Sequence, residues 1–309
     1  MSIAQANIEG SPSMEDNMRT VAQQKNEVQD TYFRMIIRKF MKHKMAVGGL
    51  IIMAALIIIA IFAPLIAPHD PYQVTESFGA APSFEYWLGT DQTGRDVLSR
   101  LIYAARVSLL VGIGSVLIGV AIGTLLGLVS GFFGGSIDMI VMRITDVFMS
   151  FPQIMLILVV ASLVGPSLWN VIIILGLLGW TTVARLVRGS VLSVKQTDYV
   201  KAGVALGLGT PRILFMHILP NVTAPILVNA TFGVANAILV EASLSFLGLG
   251  VQPPTASWGN MLTDAQSLTV LTSEPWLWVP PGVMIIITVL SANFIGDGLR
   301  DALDPKSFK

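Results

Sequence analysis

The segment Asp198–Asn221, DYVKAGVALGLGTPRILFMHILPN, stands between two long apolar runs. Its Lys201, Arg212 and His217, with Gly207, Gly209 and Pro211, make it too polar and too broken to continue either neighbour through lipid. The segment nevertheless has order of its own. Thr197-Asp198 is placed to cap a short helix that runs to Leu206, Gly207 and Gly209 end it, and Thr210-Pro211 suits the N-cap and first turn of a second short helix. Pro220 then marks entry into the next apolar run. Tyr199, Val200, Ala202, Leu206, Ile213 and Phe215 offer apolar contacts that suit docking into a groove of another protein. The plainer reading is an amphipathic loop resting on lipid headgroups.

The flanks settle the class. Of 309 residues 53% are hydrophobic and 12% charged, about half the charged share of a soluble domain. An all-helical integral membrane protein is expected, since a span needs about 20 apolar residues. The uncharged runs give six spans, near 46–67, 107–133, 147–164, 167–185, 220–240 and 279–296. Gly165-Pro166 divides the longest run into the third and fourth spans as a hairpin. Residues 1–33 read as a flexible tail and 34–309 as one membrane domain, with the loop 186–219 between spans four and five. Arg34, Arg38, Lys39, Lys42 and Lys44 crowd ahead of the first span, so both termini are expected in the cytoplasm. Only Arg95, Arg100 and Arg106 of the 19 Lys and Arg then lie outside. A cleaved signal peptide does not suit the first run, which is too long for one and starts 45 residues in.

Several functions are disfavoured by the residues. Formal net charge is zero, so no global attraction to nucleic acid is expected. The chain lacks cysteine, and His43, His69 and His217 have no metal-site spacing. No Gly-Lys pair is present for a phosphate-cradling loop, and no nucleophile elbow is visible. Ionisable residues sit at the expected span edges: Arg143 and Asp146 before the third, Arg185 and Arg188 after the fourth, Glu241 after the fifth. That weakens the case for an ion-coupled carrier, whose midplane carboxylates would mark a path. No catalytic residue, metal or cofactor of its own is expected in this chain.

Two further features carry weight. Gly119, Gly123, Gly127 and Gly131, extended by Ser115 and Gly135, recur every four residues in the second span and predict close helix packing, which is preferred to a gating role. In the outer loop, Asp91 and Asp96 can pair with Arg95 or Arg100, while Gly89 and Gly94 permit tight turns. Trp258, beside Pro253-Pro254, suits a vestibule wall or an interfacial anchor, with a structural role favoured.

The opening segment resembles the coupling loop of ABC importer permeases, whose pattern is Glu-Ala-Ala, three residues, Gly, then nine residues before Ile-x-Leu-Pro. Lys201-Ala202-Gly203 stands in the first position, Gly207 matches the glycine, and His217-Ile218-Leu219-Pro220 closes the segment. Lys201, Gly203 and His217 depart from the general pattern, and HILPN is similar to the peptide-importer variant. LGTDQTGRDVLSRLIYAARVSL (Leu88–Leu109), EASLSFLGLGVQPPTASWGNML (Glu241–Leu262) and NFIGDGLRDALDP (Asn293–Pro305) resemble signatures of the second permease of dipeptide and oligopeptide importers, in the same order.

The resemblance implies a type I ABC importer permease fold in the cytoplasmic (inner) membrane. It also implies a homologous second permease, two ATPases that bind ATP and Mg, and an extracytoplasmic peptide-binding protein as partners. Tyr199, Ala202, Gly207, Arg212, His217, Leu219 and Pro220 become candidates for coupling to the ATPases. Asp91, Gly94, Arg95, Asp96 and Trp258 become candidates at the binding-protein side. The same machinery carries nickel chelates or glutathione in other members. A secondary transporter or a non-transporting scaffold is the competing class, and neither accounts for the coupling segment together with the signatures.

Overall fold

The computed structural model describes residues 34–303. The expected tail 1–33 lies outside them. Among the described residues the chain is built from helices: α1 over 34–42, α2 Lys44–Ile61, α3 Ala63–Ile66, α4 Val97–Phe133, α5 Gly135–Met149, α6 Gln153–Val164 and α7 Leu168–Val194. These are followed by α8 Asp198–Ala205, α9 Thr210–Arg212, a π-helical turn Ile213–Ile218, α10 Leu219–Phe246, α11 Trp258–Met261, a 3-10 turn Leu262–Gln266, α12 Leu268–Ser273 and α13 Pro275–Leu303. Five stretches are long and apolar enough to cross a membrane, and six if the bent pair α5–α6 counts as one.

Helix ends depart from the apolar runs in instructive ways. The second span begins not at 107 but at Val97, where Asp96 caps α4 by accepting from the Ser99 amide at 2.8 Å. The third, expected over 147–164, is a bent pair: α5 and α6 meet at 84°. Pro152 lacks an amide hydrogen and restricts Phe151, so the helix stops at Ser150 and restarts beyond the proline. With 12 residues α6 extends only about 18 Å, short of a bilayer core. Gly165, at φ +89°, does end α6, and α7 starts after Ser167. The fourth span continues past 185 to Val194, so Arg185 and Arg188 lie inside α7. Asp146 binds Arg185 at 2.7 Å and Asp138 binds Arg188 at 2.6 Å, tying α5 to α7. The first span is interrupted at Phe62, between α2 and α3. The fifth reaches Phe246, which puts Glu241 within α10 rather than after it, and the sixth runs from Pro275 through Pro280-Pro281 to Leu303.

The α4–α7 pair is the centre of the fold. A methyl group on Gly123 would lie 2.6 Å from the Trp180 carbonyl, one on Gly127 2.7 Å from that of Ala184, and one on Gly131 2.8 Å from Val191 Cβ. Gly119 faces Gly176 and Gly179. The stripe ends there, because α4 stops at Phe133 and Gly135 opens α5 with φ +54°. Absent side chains let two backbones touch, so dispersion replaces the missing hydrophobic drive between helices in lipid. The same device recurs where Gly296 of α13 meets Thr231 and Phe232 of α10, and where Gly49 of α2 meets the Ser291 carbonyl of α13. Two clusters close the ends of α4. One gathers Leu101, Ala105, Trp258, Leu277 and Ile285; the other gathers Leu128, Val187, Val191, Val200, Ile213 and Ile218.

Candidate functional site

The α8 segment is short, so its shape depends on how it ends. The Gly207 amide donates to the Val204 carbonyl at 3.0 Å and that of Leu208 to the Gly203 carbonyl at 3.1 Å, the paired bonds of a Schellman turn. Gly207 occupies the left-handed position, φ +74°, where residues other than Gly, Asn and Asp are strained. Leu208 completes the turn by packing on Gly203, whose added methyl would lie 3.3 Å from Leu208 Cδ1.

The second half differs from the expectation of a separate short helix. Gly209, not Thr210, holds the N-cap, Pro211 sits in the first turn, and α9 passes through the π turn directly into α10. Pro220 explains the register. It has no amide hydrogen to return to Met216, and the Leu219 amide reaches back to Leu214 instead.

The apolar residues of the segment divide into two sets. Val200, Ile213, Leu214 and Ile218 are buried against Leu128 of α4 and Val183, Val187 and Val191 of α7. Each such burial is worth about 1.5–3 kcal/mol, enough to pin the segment. Tyr199, Leu206, Phe215 and Met216 remain exposed, 81% in the case of Leu206, beside exposed Ala202, Gly207, Arg212 and Pro220. His217 and Leu219 are half-buried. Of the coupling candidates, the turn therefore presents some outward and keeps others against the bundle. Val200 and Ile213, expected to be free for contact, are core residues.

At the opposite end of α4, Asp91 organises the loop 67–96. Its Oδ1 accepts from the Thr93 amide at 2.8 Å, the Thr93 hydroxyl at 2.7 Å and the Arg95 amide at 3.0 Å. Its Oδ2 accepts from Arg95 Nε at 2.8 Å and lies 3.4 Å from Arg100 Nε. Burial pushes the carboxyl up, but these hydrogen bonds and the two guanidinium charges outweigh it and hold Asp91 below the usual carboxylate range. Asp264, near the same guanidiniums, is raised by burial and then by the Asp91 charge. Gly94, at φ +80°, has the Thr75 carbonyl 2.4 Å from where a methyl would stand. Asp96 pairs with neither arginine; its carboxylate is committed to the cap of α4.

Trp258 is neither wall nor anchor, being 0% exposed. Its indole donates to the Leu101 carbonyl at 3.2 Å and its amide to Ser108 Oγ at 3.1 Å. Next to it lies an arrangement that sequence reading missed. Glu241 is fully buried, and its Oε1 accepts from Ser245 Oγ at 2.7 Å and Ser257 Oγ at 2.8 Å. Ser257 also caps α11 reciprocally with Asn260. The Glu241 side chain thus fastens the loop after α10 back onto that helix. The four-residue spacing of Glu241 and Ser245 was the available signal.

Residues 123–309 match the family described as the inner membrane component of binding-protein-dependent transport systems. Residues 31–82 match the N-terminal transmembrane domain of oligopeptide transport permease C. The dipeptide transport system permease protein DppC of Alkalihalophilus pseudofirmus is 44% identical over 275 residues, covering 89% of this chain and 90% of that protein. The oligopeptide transport system permease protein OppC of Bacillus subtilis is 43% identical over 270 residues, 87% of this chain and 88% of its own length. The di/tripeptide permease DppC of Pseudomonas aeruginosa is 41% identical over 276 residues, covering 87% and 90%. With a glycine-packed bundle, a pinned α8 turn and matches over most of its length, this chain belongs to the family of binding-protein-dependent transport system inner membrane components.

Proposed function

We propose that the chain is the second permease subunit of an ATP-driven importer of dipeptides and oligopeptides. In this reading it pairs with a homologous permease around the path, receives cargo from an extracytoplasmic binding protein, and rests on two ATPases that bind ATP and Mg. The chain itself catalyses nothing. The observation that carries the reading is the α8 turn: buried on one side against α4 and α7, it presents Tyr199, Leu206 and Arg212 on the other. A rigid turn of this kind suits transmission, since a push on its exposed face reaches the bundle through Val200, Ile213 and Ile218. The names of the relatives supply the peptide cargo. The α8 end is then cytoplasmic and the Asp91 end extracytoplasmic.

Gly207 provides the test. No atom lies within 4 Å of the place a side chain would take, so the bundle accommodates a substitution there, but φ +74° does not suit most residues. Gly207→Asp is expected to insert normally and abolish peptide uptake through the charge it adds to the exposed face, and the isosteric but neutral Gly207→Asn, which tolerates the left-handed region as Asp does, to retain much of it. The measurement is ATP-dependent uptake in proteoliposomes of the complete transporter, with expression checked by immunoblot. Normal uptake by Gly207→Asp would sink the coupling role. Uptake driven by an ion gradient without ATP would instead establish a secondary transporter.

A further inference from the structure

The exposed surface of the bundle is mostly Leu, Ile, Val, Met and Phe, as a surface facing lipid must be. One groove departs from this. A cavity of about 250 Å³ between α4, α6, α7 and α10 is lined by Gln153, Thr182, Asn229 and Asn236 together with Phe232 and Ser115. Asn229 and Asn236 are seven residues apart on α10, which puts them on one face two turns apart. The side chains of Gln153, Thr182, Asn229 and Asn236 make no hydrogen bond to other described residues. An unsatisfied amide in hydrocarbon costs several kcal/mol, so three carboxamides on one groove are incompatible with lipid there. No Asp, Glu, Lys or Arg lines the cavity. Asn229 and Phe232 are shared with a second cavity of about 390 Å³ that leads past Pro225 to Arg300, at the α8 end. The groove is therefore continuous from the middle of α10 toward that end.

We propose that this face of α10 is the chain's wall of the translocation path, and that Asn229, Asn236 and Gln153 exchange hydrogen bonds with the backbone amides of a passing peptide. The peptide part rests on the importer reading above. Carboxamides both donate and accept, so they match the one feature that every peptide shares, its amide bonds. A neutral wall also holds no peptide by charge. Cargo of either sign therefore binds weakly enough to leave, the condition for conduction through a multi-site path.

The chain lacks cysteine, so a substituted cysteine is the only thiol of this subunit, and labelling is read on this subunit alone. Asn229→Cys and Asn236→Cys, in the complete transporter in proteoliposomes, are expected to react with a charged, water-soluble thiol reagent many-fold faster than Ile51→Cys, on the exposed apolar face of α2. An excess of a transported tripeptide is expected to slow that reaction. If the unsubstituted transporter takes up peptides but neither cysteine reacts, the wall is overturned and this face packs against the second permease or lipid. Reaction without peptide protection overturns the cargo contact. Should the unsubstituted transporter take up no peptide with ATP, the importer reading fails, while the cysteine rates still decide whether the wall is wet.

Two variants separate path from fold. Asn236→Asp is expected to slow net-negative peptides several-fold more than net-positive ones of the same length, and equal slowing would overturn the assignment. Gly179→Leu, whose first side-chain carbon meets nothing within 4 Å, is expected to fold and to block uptake by filling the groove. Undiminished uptake by a well-expressed Gly179→Leu variant would count against the path.

Discussion

Asp91 shows how much one side chain decides at the residue scale. Four donors and a second guanidinium converge on its carboxylate, and the loop 67–96 is folded around it. Because its folded pKa is depressed, its contribution is fully present above the unfolded value of about 3.9 and is lost as pH falls through the lower folded value. The thermal stability of the purified protein is therefore expected to fall below about pH 4. Asp91→Asn removes the charge that Arg95 and Arg100 face. It is expected to cost about 2–4 kcal/mol at neutral pH and to flatten the acid slope. An unchanged acid slope in Asp91→Asn would assign that loss to other carboxylates. The pairing of Asp91 with the arginines could be read from charge spacing. The commitment of Asp96 to a helix cap could not, because α4 reaches ten residues beyond its apolar run. Glu241 was placed at an edge for the same reason: an apolar window ends at an ionisable residue, whereas a helix continues where two serines hydrogen-bond one of its carboxyl oxygens inside.

At the scale of elements, the four-residue glycine spacing was legible because it follows from helix geometry alone, and it marks the contact of α4 with α7. Gly123→Val would drive its side chain into the Trp180 carbonyl and Val183 Cβ. The expected result is a loss of about 1–3 kcal/mol or of folded yield in detergent. Gly48→Ala on α2, with nothing within 4 Å, is the tolerated comparison. The α5–α6 break was less legible, since Phe151-Pro152 lies inside an uninterrupted uncharged stretch and the hydropathy signal masks the proline. The π turn was not legible at all. It arises from Pro220 at the mouth of α10 and from the burial of Ile213, Leu214 and Ile218, a tertiary circumstance. Pro220→Ala restores the missing amide and is expected to let the turn relax toward α register, leaving folding intact while lowering uptake per ATP hydrolysed several-fold. Parallel assays of uptake and ATPase rate in the reconstituted transporter check this. Proportionate loss of both would point to impaired assembly instead.

On the scale of the whole molecule, α4 is one continuous helix of 37 residues, about 55 Å long, against a bilayer core of about 30 Å. Its first turns are held in the cluster around Trp258 and its last turns in the cluster that receives Val200 and Ile213. Between them it is locked to α7 by contacts of backbone on backbone. A rod so bound cannot bend cheaply but can tilt as a body. Pivoting by about 5° about its middle displaces each tip by about 2–3 Å in opposite senses, a seesaw whose two ends are never raised together. In the importer proposed above, a bundle built on such a beam would widen one mouth as it narrowed the other.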